Sequence, residues 1–89
     1  MNMDHITNIK KAIEDKKIII GTERTLKALK KDSLRTVYIT ANCPSEVSED
    51  IAYYSKLAQV EAVHLEQPND ELGVLCRKSF SVSVVCVKA

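Results

Sequence analysis

The stretch from Lys17 to Lys31 constrains the fold more than any other part of the chain. The β-branched run Ile18–Ile20 is short enough for a buried strand and stops at Gly21, which can adopt the backbone angles of a tight turn. Apolar and basic residues at helical spacing follow at once, so the segment predicts a strand, a turn and a helix in immediate succession. Such strand-to-helix junctions are typical of α/β folds, in which helices cover a sheet.

The helix predicted over Thr22–Lys31 has a basic side and an inward side, and Thr22 is its predicted N-cap. The start of a helix offers unpaired N–H groups and a positive dipole end, so cations added there favour an anion. A nucleic-acid backbone is the leading candidate, and a merely solvated helix face is the alternative. The basic side comprises Arg24, Lys27 and Lys31, and the inward side comprises Thr22, Thr25, Leu26 and Leu29.

Composition and charge distribution narrow the class of protein. With 89 residues, 45% of them hydrophobic and 28% charged, the chain is predicted to form one globular domain over residues 1–89. The net charge of +1 is uneven, at +4 over residues 1–35 and −3 over residues 36–89, which indicates a one-sided basic surface. No apolar run approaches the ~20 residues of a membrane helix, and no signal-peptide pattern is present. We therefore expect a cytoplasmic protein without a membrane partner.

Apolar periodicity predicts helices that alternate with strands, which indicates a three-layer α/β/α sandwich around a four-stranded sheet. In the second strand, Val37 and Ile39 are expected on one face and Tyr38 on the other. Ligands of such sheets bind beyond the carboxyl ends of strands, but periodicity leaves the direction of the last strand open. The predicted helices are Asp4 to about Lys16, Thr22–Lys31, one starting at or near Pro44, and one capped by Asn69 and running to about Cys76; the strands are Ile18–Ile20, Thr36–Ala41, Ala62–Leu65 and Val82–Val87.

The cysteines, histidines and glycines do not form a recognisable catalytic or metal-binding motif. Cys43, Cys76 and Cys86 are odd in number and form no C-x-x-C pair, so reduced, buried thiols are expected. Cys43 precedes Pro44 at a predicted helix start, a setting that lowers a thiol pKa, so a small enzyme or phosphocarrier using Cys43 stays open as an alternative. The two histidines are isolated and the two glycines are too few for a nucleotide-binding loop. We predict no metal, no cofactor and no small-molecule substrate.

Two further residues have both a structural and a functional interpretation. Asn42, at the end of the second strand, can turn the chain locally, bond a neighbouring loop or pair with a base edge. Phe80 is the only phenylalanine and lies in a predicted loop with Arg77 and Lys78. It is either a core anchor that leads into the last strand or an exposed surface for an unstacked base.

Five blocks of sequence, in order along almost the whole chain, carry a resemblance to a known family. The blocks are Ile19–Lys30, Ile39–Pro44, Glu49–Leu57, Asn69–Cys76 and Lys78–Val84. They resemble the L-thirty-e family of archaeal and eukaryotic large-subunit ribosomal proteins, which belongs to the superfamily of kink-turn RNA-binding proteins. The resemblance implies an α/β/α sandwich with a mixed four-stranded sheet.

The resemblance also implies that three loops grip one sharply bent RNA internal loop. Arg24 would read guanine at an opened major groove, Lys27 would contact phosphate, and Phe80 and Val82 would pack against a splayed nucleotide. Glu23, where relatives commonly have Asn or Lys, would accept from a base amine or pair with Lys27 at i+4. The implied RNA-binding residues are Gly21, Thr22, Glu23, Arg24 and Lys27 in the loop after the first strand, Asn42 after the second, Phe80, Ser81 and Val82 before the last, and Lys31, Arg77 and Lys78 at the periphery.

The implied function is non-enzymatic. The chain would be a structural constituent of the large ribosomal subunit, located on cytoplasmic ribosomes, that binds a kink-turn-like site in rRNA. Its partners would be this rRNA and neighbouring ribosomal proteins, and the free protein would be a monomer. A paralogue that serves a guide-RNA or RNA-processing particle is the main alternative.

Overall fold

The computed structural model of the chain describes residues 5–89 and contains four helices and four strands over that range. Their order agrees with the order predicted from the sequence. The elements are α1 (His5–Glu14), β1 (Ile18–Ile20), α2 (Thr22–Lys31), β2 (Leu34–Ile39), α3 (Ser45–Leu57), β3 (Glu61–His64), α4 (Asn69–Leu75) and β4 (Val84–Lys88).

The four strands form one mixed sheet in the order β1-β4-β2-β3. The last strand, β4, lies between the first two and is antiparallel to both, whereas β2 and β3 are parallel. A strand with neighbours on both sides and helices on both faces is buried all round, and the apolar run of β4 meets that requirement. The antiparallel direction of β4 answers the question that periodicity left open.

Helices cover both faces of the sheet, so the predicted three-layer α/β/α sandwich is confirmed. Alternate residues of each central strand enter two separate cores, as the pleat of a strand requires. Tyr38, Val85 and Val87 pack with α1 and α4 on one face. Val37 and Ile39 pack on the other face with α2 and α3, which confirms the predicted division of β2.

The predicted ends of several elements are wrong by one or two residues. The structure ends α1 at Glu14, and the predicted start at Asp4 lies outside the described residues. The sequence placed β2 two residues late, β3 one residue late and β4 two residues early at its start. Leu65 and Val82 are buried although neither belongs to a strand. Apolar patterns report burial, whereas a strand is defined by backbone pairing, and the two need not end at the same residue.

Three helices end in the same backbone arrangement. The residue after each cap is left-handed, with φ of 57° at Lys16, 59° at Gln59 and 61° at Arg77. Each arrangement has the paired backbone bonds of a Schellman motif; at α4 the N–H groups of Arg77 and Lys78 donate to the carbonyls of Val74 and Gly73. Glycine is the usual residue at this position because it has no Cβ, so all three helices use a residue that fits less well.

Across residues 5–89, no helix combines the length and the hydropathy that crossing a membrane requires. In the same part of the chain, no three His, Cys, Asp or Glu side chains lie together as a metal site would need.

Candidate nucleic-acid interface

Three loops meet at one edge of the sheet. They are the first loop (residues 21–24, including the first turn of α2), the second loop (residues 40–44) and the third loop (residues 76–83). Because β4 is antiparallel to β1 and β2, its first residues lie beside their last ones, with Ile20 opposite Val85 and Ile39 opposite Val84. The loops that follow β1 and β2 and the loop that precedes β4 therefore share this edge.

Backbone hydrogen bonds connect the first and second loops to the start of β4. The Gly21 N–H donates to the Val84 carbonyl at 2.9 Å. Both the backbone N–H and the hydroxyl of Thr40 donate to the Ser83 carbonyl, at 3.0 and 3.1 Å. Thr40 is buried, so these bonds form away from solvent. These bonds hold the first and second loops beside residues 83 and 84, where the third loop ends and β4 begins.

The first loop turns at Gly21, which has φ of 112°. No atom of residues 5–89 lies within 4 Å of the position that a Cβ would take there, so the backbone angle is what favours glycine. Gly21 is itself the N-cap of α2 and Thr22 is the first helical residue, so the prediction of Thr22 as the N-cap is wrong. In the described part of the chain no side chain caps this helix, which leaves N–H groups of its first turn available to an anion.

The basic side of α2 faces solvent as predicted. Arg24, Lys27 and Lys31 are exposed, whereas Thr25 and Leu29 on the opposite side are buried. Of the other residues predicted to face inward, Leu26 and Thr22 are half-buried, and the buried Ala28 was not on the predicted side.

Glu23 lies among these cations on the first turn of α2, and it is exposed. Two roles were expected for Glu23: an ion pair with Lys27, or acceptance of a hydrogen bond from a base amine. Within residues 5–89 its carboxylate forms no ion pair with Lys27, so the first role is not observed.

An open cleft of about 840 Å³ is lined by residues of the first loop, the third loop and strand β1. Arg24 of the first loop and Lys78 and Phe80 of the third loop are among its lining residues. These cationic and aromatic side chains come from distant parts of the sequence, and only the folded chain brings them together. Of the predicted site residues the cleft includes Gly21, Thr22, Arg24, Phe80, Ser81, Val82 and Lys78; Glu23, Lys27, Lys31, Asn42 and Arg77 lie outside it.

Phe80 and Val82, two residues apart, have opposite environments. Phe80 is 61% exposed, so it is a surface residue and not the core anchor that was its structural alternative. Val82 is 2% exposed and packs in the core between the sheet and α1 and α4. The prediction that the Val82 side chain packs against a nucleotide is therefore wrong, because that side chain is already enclosed by protein.

Asn42 bonds a neighbouring element rather than its own turn. Its Oδ1 accepts from the backbone N–H of Asn69 at 2.8 Å, and its Nδ2 donates to the Asn69 Oδ1 at 3.2 Å. Asn42 remains exposed, so one Nδ2 hydrogen and one Oδ1 lone pair stay available to a ligand.

Asn69 is a residue whose role sequence reasoning missed. It was predicted to cap α4, but Pro68 is the N-cap and the Asn69 side chain forms no cap bond. Its side chain instead contacts Asn42 and donates from Nδ2 to the Ser83 hydroxyl at 3.4 Å. An Asn after a proline is an ordinary signal for the start of a helix. The neighbouring sequence contains no signal for hydrogen bonds to Asn42 and Ser83, which are 27 and 14 residues away.

Burial disfavours the thiolate form of all three cysteines. Burial raises the pKa of Cys43, which is the opposite of what a nucleophile at a helix start requires. Burial also raises the pKa of Cys76 and of Cys86, and both side chains are enclosed. The structure thus speaks against the alternative of an enzyme or phosphocarrier that uses Cys43.

An α/β/α sandwich with three loops at one sheet edge, one of them at the start of a basic helix, defines a class of proteins that is already known. Residues 5–89 match the model of the ribosomal protein L7Ae/L30e/S12e/Gadd45 family, and the chain belongs to this family.

Within the family, the chain is similar to large ribosomal subunit protein eL30. It is 34% identical to eL30 of Methanocaldococcus jannaschii over 97% of this chain and 78% of that protein. It is 33% identical to eL30 of Methanothermobacter thermautotrophicus over 97% of this chain and 88% of the relative.

Solved structures share the fold at low sequence identity. A 15.5 kD RNA-binding protein of Giardia lamblia superposes with a TM-score of 0.82 at 18% identity, over 100% of this chain and 78% of that one. A protein of unknown function from Bacillus halodurans superposes with a TM-score of 0.84 at 15% identity, over 94% of this chain and 83% of that one.

Proposed function

We propose that this chain is a non-enzymatic constituent of the large ribosomal subunit that binds a kink-turn-like internal loop of rRNA through its three loops. The similarity to eL30 along nearly the whole chain supports the ribosomal assignment. The observation that carries the site is the cleft that Arg24, Lys78 and the exposed Phe80 line together. Cations and an exposed aromatic side chain in one cleft suit an RNA whose backbone bends and whose bases unstack.

The first loop would supply both backbone and base contacts. The open backbone at Gly21 would allow close approach, and the uncapped N–H groups at the start of α2 would donate to phosphate oxygens. The Arg24 guanidinium can donate in bidentate fashion to guanine O6 and N7 where sheared G·A pairs open the major groove. Among residues 5–89 Glu23 has no cationic partner, and it would accept from a base amine, which is the expected role that remains for it.

The cations further along α2 would bind the RNA backbone. Lys27 and Lys31 lie outside the cleft on the exposed side of α2. They would contact phosphates that flank the bent region. Arg77 and Lys78 would do the same from the third loop, Lys78 from within the cleft. These contacts add affinity that falls with salt but carry little sequence information.

The third loop would hold an unstacked base. Phe80 presents its ring to solvent, and base stacking on such a ring contributes ~1–3 kcal/mol. Ser81 is exposed beside it and can bond the sugar or phosphate. Asn42, from the second loop, would use its remaining donor and acceptor on a base edge. Val82 contributes only to the support beneath this surface.

The partners of the chain would be rRNA and neighbouring ribosomal proteins on cytoplasmic ribosomes, with no membrane and no small-molecule substrate, and the free protein would be monomeric.

Ribosome fractionation tests this assignment. We expect the chain to co-sediment with large subunits and to recover large-subunit rRNA on pull-down. Recovery of a guide RNA or a processing RNA in place of rRNA would favour a paralogue of another particle.

A gel-shift comparison tests the specific recognition of a kink-turn. The protein is titrated against a kink-turn RNA and against the same RNA with its G·A pairs replaced by Watson–Crick pairs. We expect clear preference for the first RNA, because only it opens the groove in front of Arg24. Equal affinity for both would reject specific recognition, whatever the ribosomal location.

A further inference from the structure

Helix α4 presents two residues to the loops of the proposed site. Asn69 and Gly73 lie four positions apart, so they share one side of the helix. Asn69 contacts the second loop through Asn42 and the third loop through Ser83. Its backbone carbonyl also accepts from the Val82 N–H at 3.0 Å. One residue therefore links two of the three loops by both its side chain and its backbone.

Gly73 holds the same loop one turn later. A Cβ at this position would overlap the Phe80 carbonyl oxygen and lie 3.3 Å from the Cα of Ser81. The Gly73 carbonyl accepts from the Lys78 N–H at 2.9 Å. The third loop is thus held to α4 on both sides of Phe80, by Gly73 at Lys78 and by Asn69 at Val82.

From these contacts we infer that Asn69 and Gly73 are positioning residues: through them α4 fixes the second and third loops in the arrangement that lets Asn42 and Phe80 engage one RNA. This inference rests on the proposed function. When the loops sample other arrangements, the apparent Kd equals the intrinsic Kd divided by the fraction of molecules in the competent arrangement, so it rises as that fraction falls. Asn69 and Gly73 can therefore control the affinity of the protein for RNA without contacting the RNA themselves.

The first test uses the free protein and does not depend on RNA. Asn69→Ala removes the two side-chain bonds, from the Asn42 Nδ2 and to the Ser83 hydroxyl, and keeps the backbone bonds of Asn69 to Asn42 and Val82. Gln67→Ala removes a side-chain amide that has no bond to the loops, and it keeps the backbone carbonyl that accepts from the Ala41 N–H. NMR relaxation should show residues 79–83 rigid in the wild type and in Gln67→Ala, but flexible in Asn69→Ala, with order parameters falling below about 0.6. Unchanged order in Asn69→Ala would overturn the inference.

The second test separates positioning from direct contact. Asn69→Ala is expected to slow association with the kink-turn RNA about tenfold and to leave the dissociation rate nearly unchanged, because fewer molecules are competent to bind. Gln67→Ala should keep both rates. Faster dissociation at an unchanged association rate would mean that Asn69 touches the RNA, and the positioning role would be rejected.

A double-mutant cycle then tests the route through Asn42. If Asn69 acts on that residue, its replacement should cost less affinity in an Asn42→Ala background than alone, because the shared bonds are already lost. Fully additive losses would contradict this route.

Gly73→Ala should also weaken RNA binding by displacing Phe80, and urea unfolding of each variant checks that the fold is retained. If the wild type shows no preference for kink-turn RNA, the proposed function fails, while the relaxation test still decides whether α4 orders the loops.

Discussion

At the scale of single residues, the sharpest contrast lies between two cations of α2. Arg24 lines the cleft, whereas Lys27 lies outside it on the exposed side of the helix. We predict that Arg24→Ala reduces the preference for kink-turn RNA over its Watson–Crick counterpart by roughly 1–3 kcal/mol, because a guanine contact is lost. Titration of both RNAs at one salt concentration measures this. Arg35→Ala, an exposed arginine at the other end of the sheet, should leave the preference intact.

Lys27→Ala is predicted to act on salt dependence. Removal of one phosphate contact should reduce the slope of log K against log salt by about 0.7–0.9, while the preference between the two RNAs stays the same. Binding measured across a range of salt concentrations gives the slope, and Lys56→Ala near the far end of α3 is the matched control. A Lys27 variant that changes preference and not slope would place Lys27 on a base.

Phe80 and Val82 should separate binding from stability. We predict that Phe80→Ala weakens RNA binding by ~1–3 kcal/mol and leaves the free energy of unfolding nearly unchanged, because its ring is exposed. Val82→Ala should lower the free energy of unfolding by about 2 kcal/mol, because it leaves a cavity in a packed core. Parallel gel shifts and urea titrations distinguish the two. Val74→Ala, also exposed but outside the cleft, controls for the loss of surface apolar area.

At the scale of elements, a substitution at a helix end is expected to raise the free energy of unfolding. Gln59 follows the cap of α3 with φ of 59°, a conformation that costs most residues about 1 kcal/mol and costs glycine almost nothing. We predict that Gln59→Gly raises the free energy of unfolding by about 0.5–1 kcal/mol, as measured by urea unfolding. Ala58→Gly, one position earlier with ordinary helical angles, should lower it. A loss of stability in Gln59→Gly would mean that its side chain makes a compensating contact.

Elements were easier to predict than their ends. Helix α2 and strand β1 have the bounds read from the sequence, because Gly21 separates a β-branched run from a helical pattern and both signals are local. The ends of β2, β3 and β4 depend on which backbone groups pair across the sheet. That pairing is decided by residues remote in sequence, so local pattern cannot supply it.

At the scale of the whole molecule, burial of the thiols makes stability depend on alkaline pH. Burial raises the pKa of Cys43, Cys76 and Cys86, so in the unfolded chain these groups lose their protons at lower pH than in the folded one. The unfolded state is then favoured as pH rises through that interval. We predict that the free energy of unfolding is insensitive to these thiols near neutrality and falls above about pH 9.

Urea unfolding between neutral and alkaline pH measures this dependence. Cys86→Ala removes a buried thiol of β4 and should make the alkaline decline shallower. Val84→Ala removes neighbouring core volume on the same face and should lower stability equally at every pH. An unchanged decline in Cys86→Ala would mean that other groups cause it, Tyr38 among them, since burial raises the pKa of its hydroxyl as well.

The sequence by itself determined the layered α/β class, the order of the elements and the exposed basic side of α2. These properties follow from local periodicity and from one glycine, and they need no knowledge of distant partners. Only the tertiary structure decided that β4 runs antiparallel between β1 and β2, which brings the third loop to the edge where the other two end. The tertiary structure also decided that the Phe80 side chain is exposed, that the Val82 side chain is buried and that Asn69 is hydrogen-bonded to two loops. Burial and long-range hydrogen bonds depend on which remote segments become neighbours, so the local sequence could not supply them.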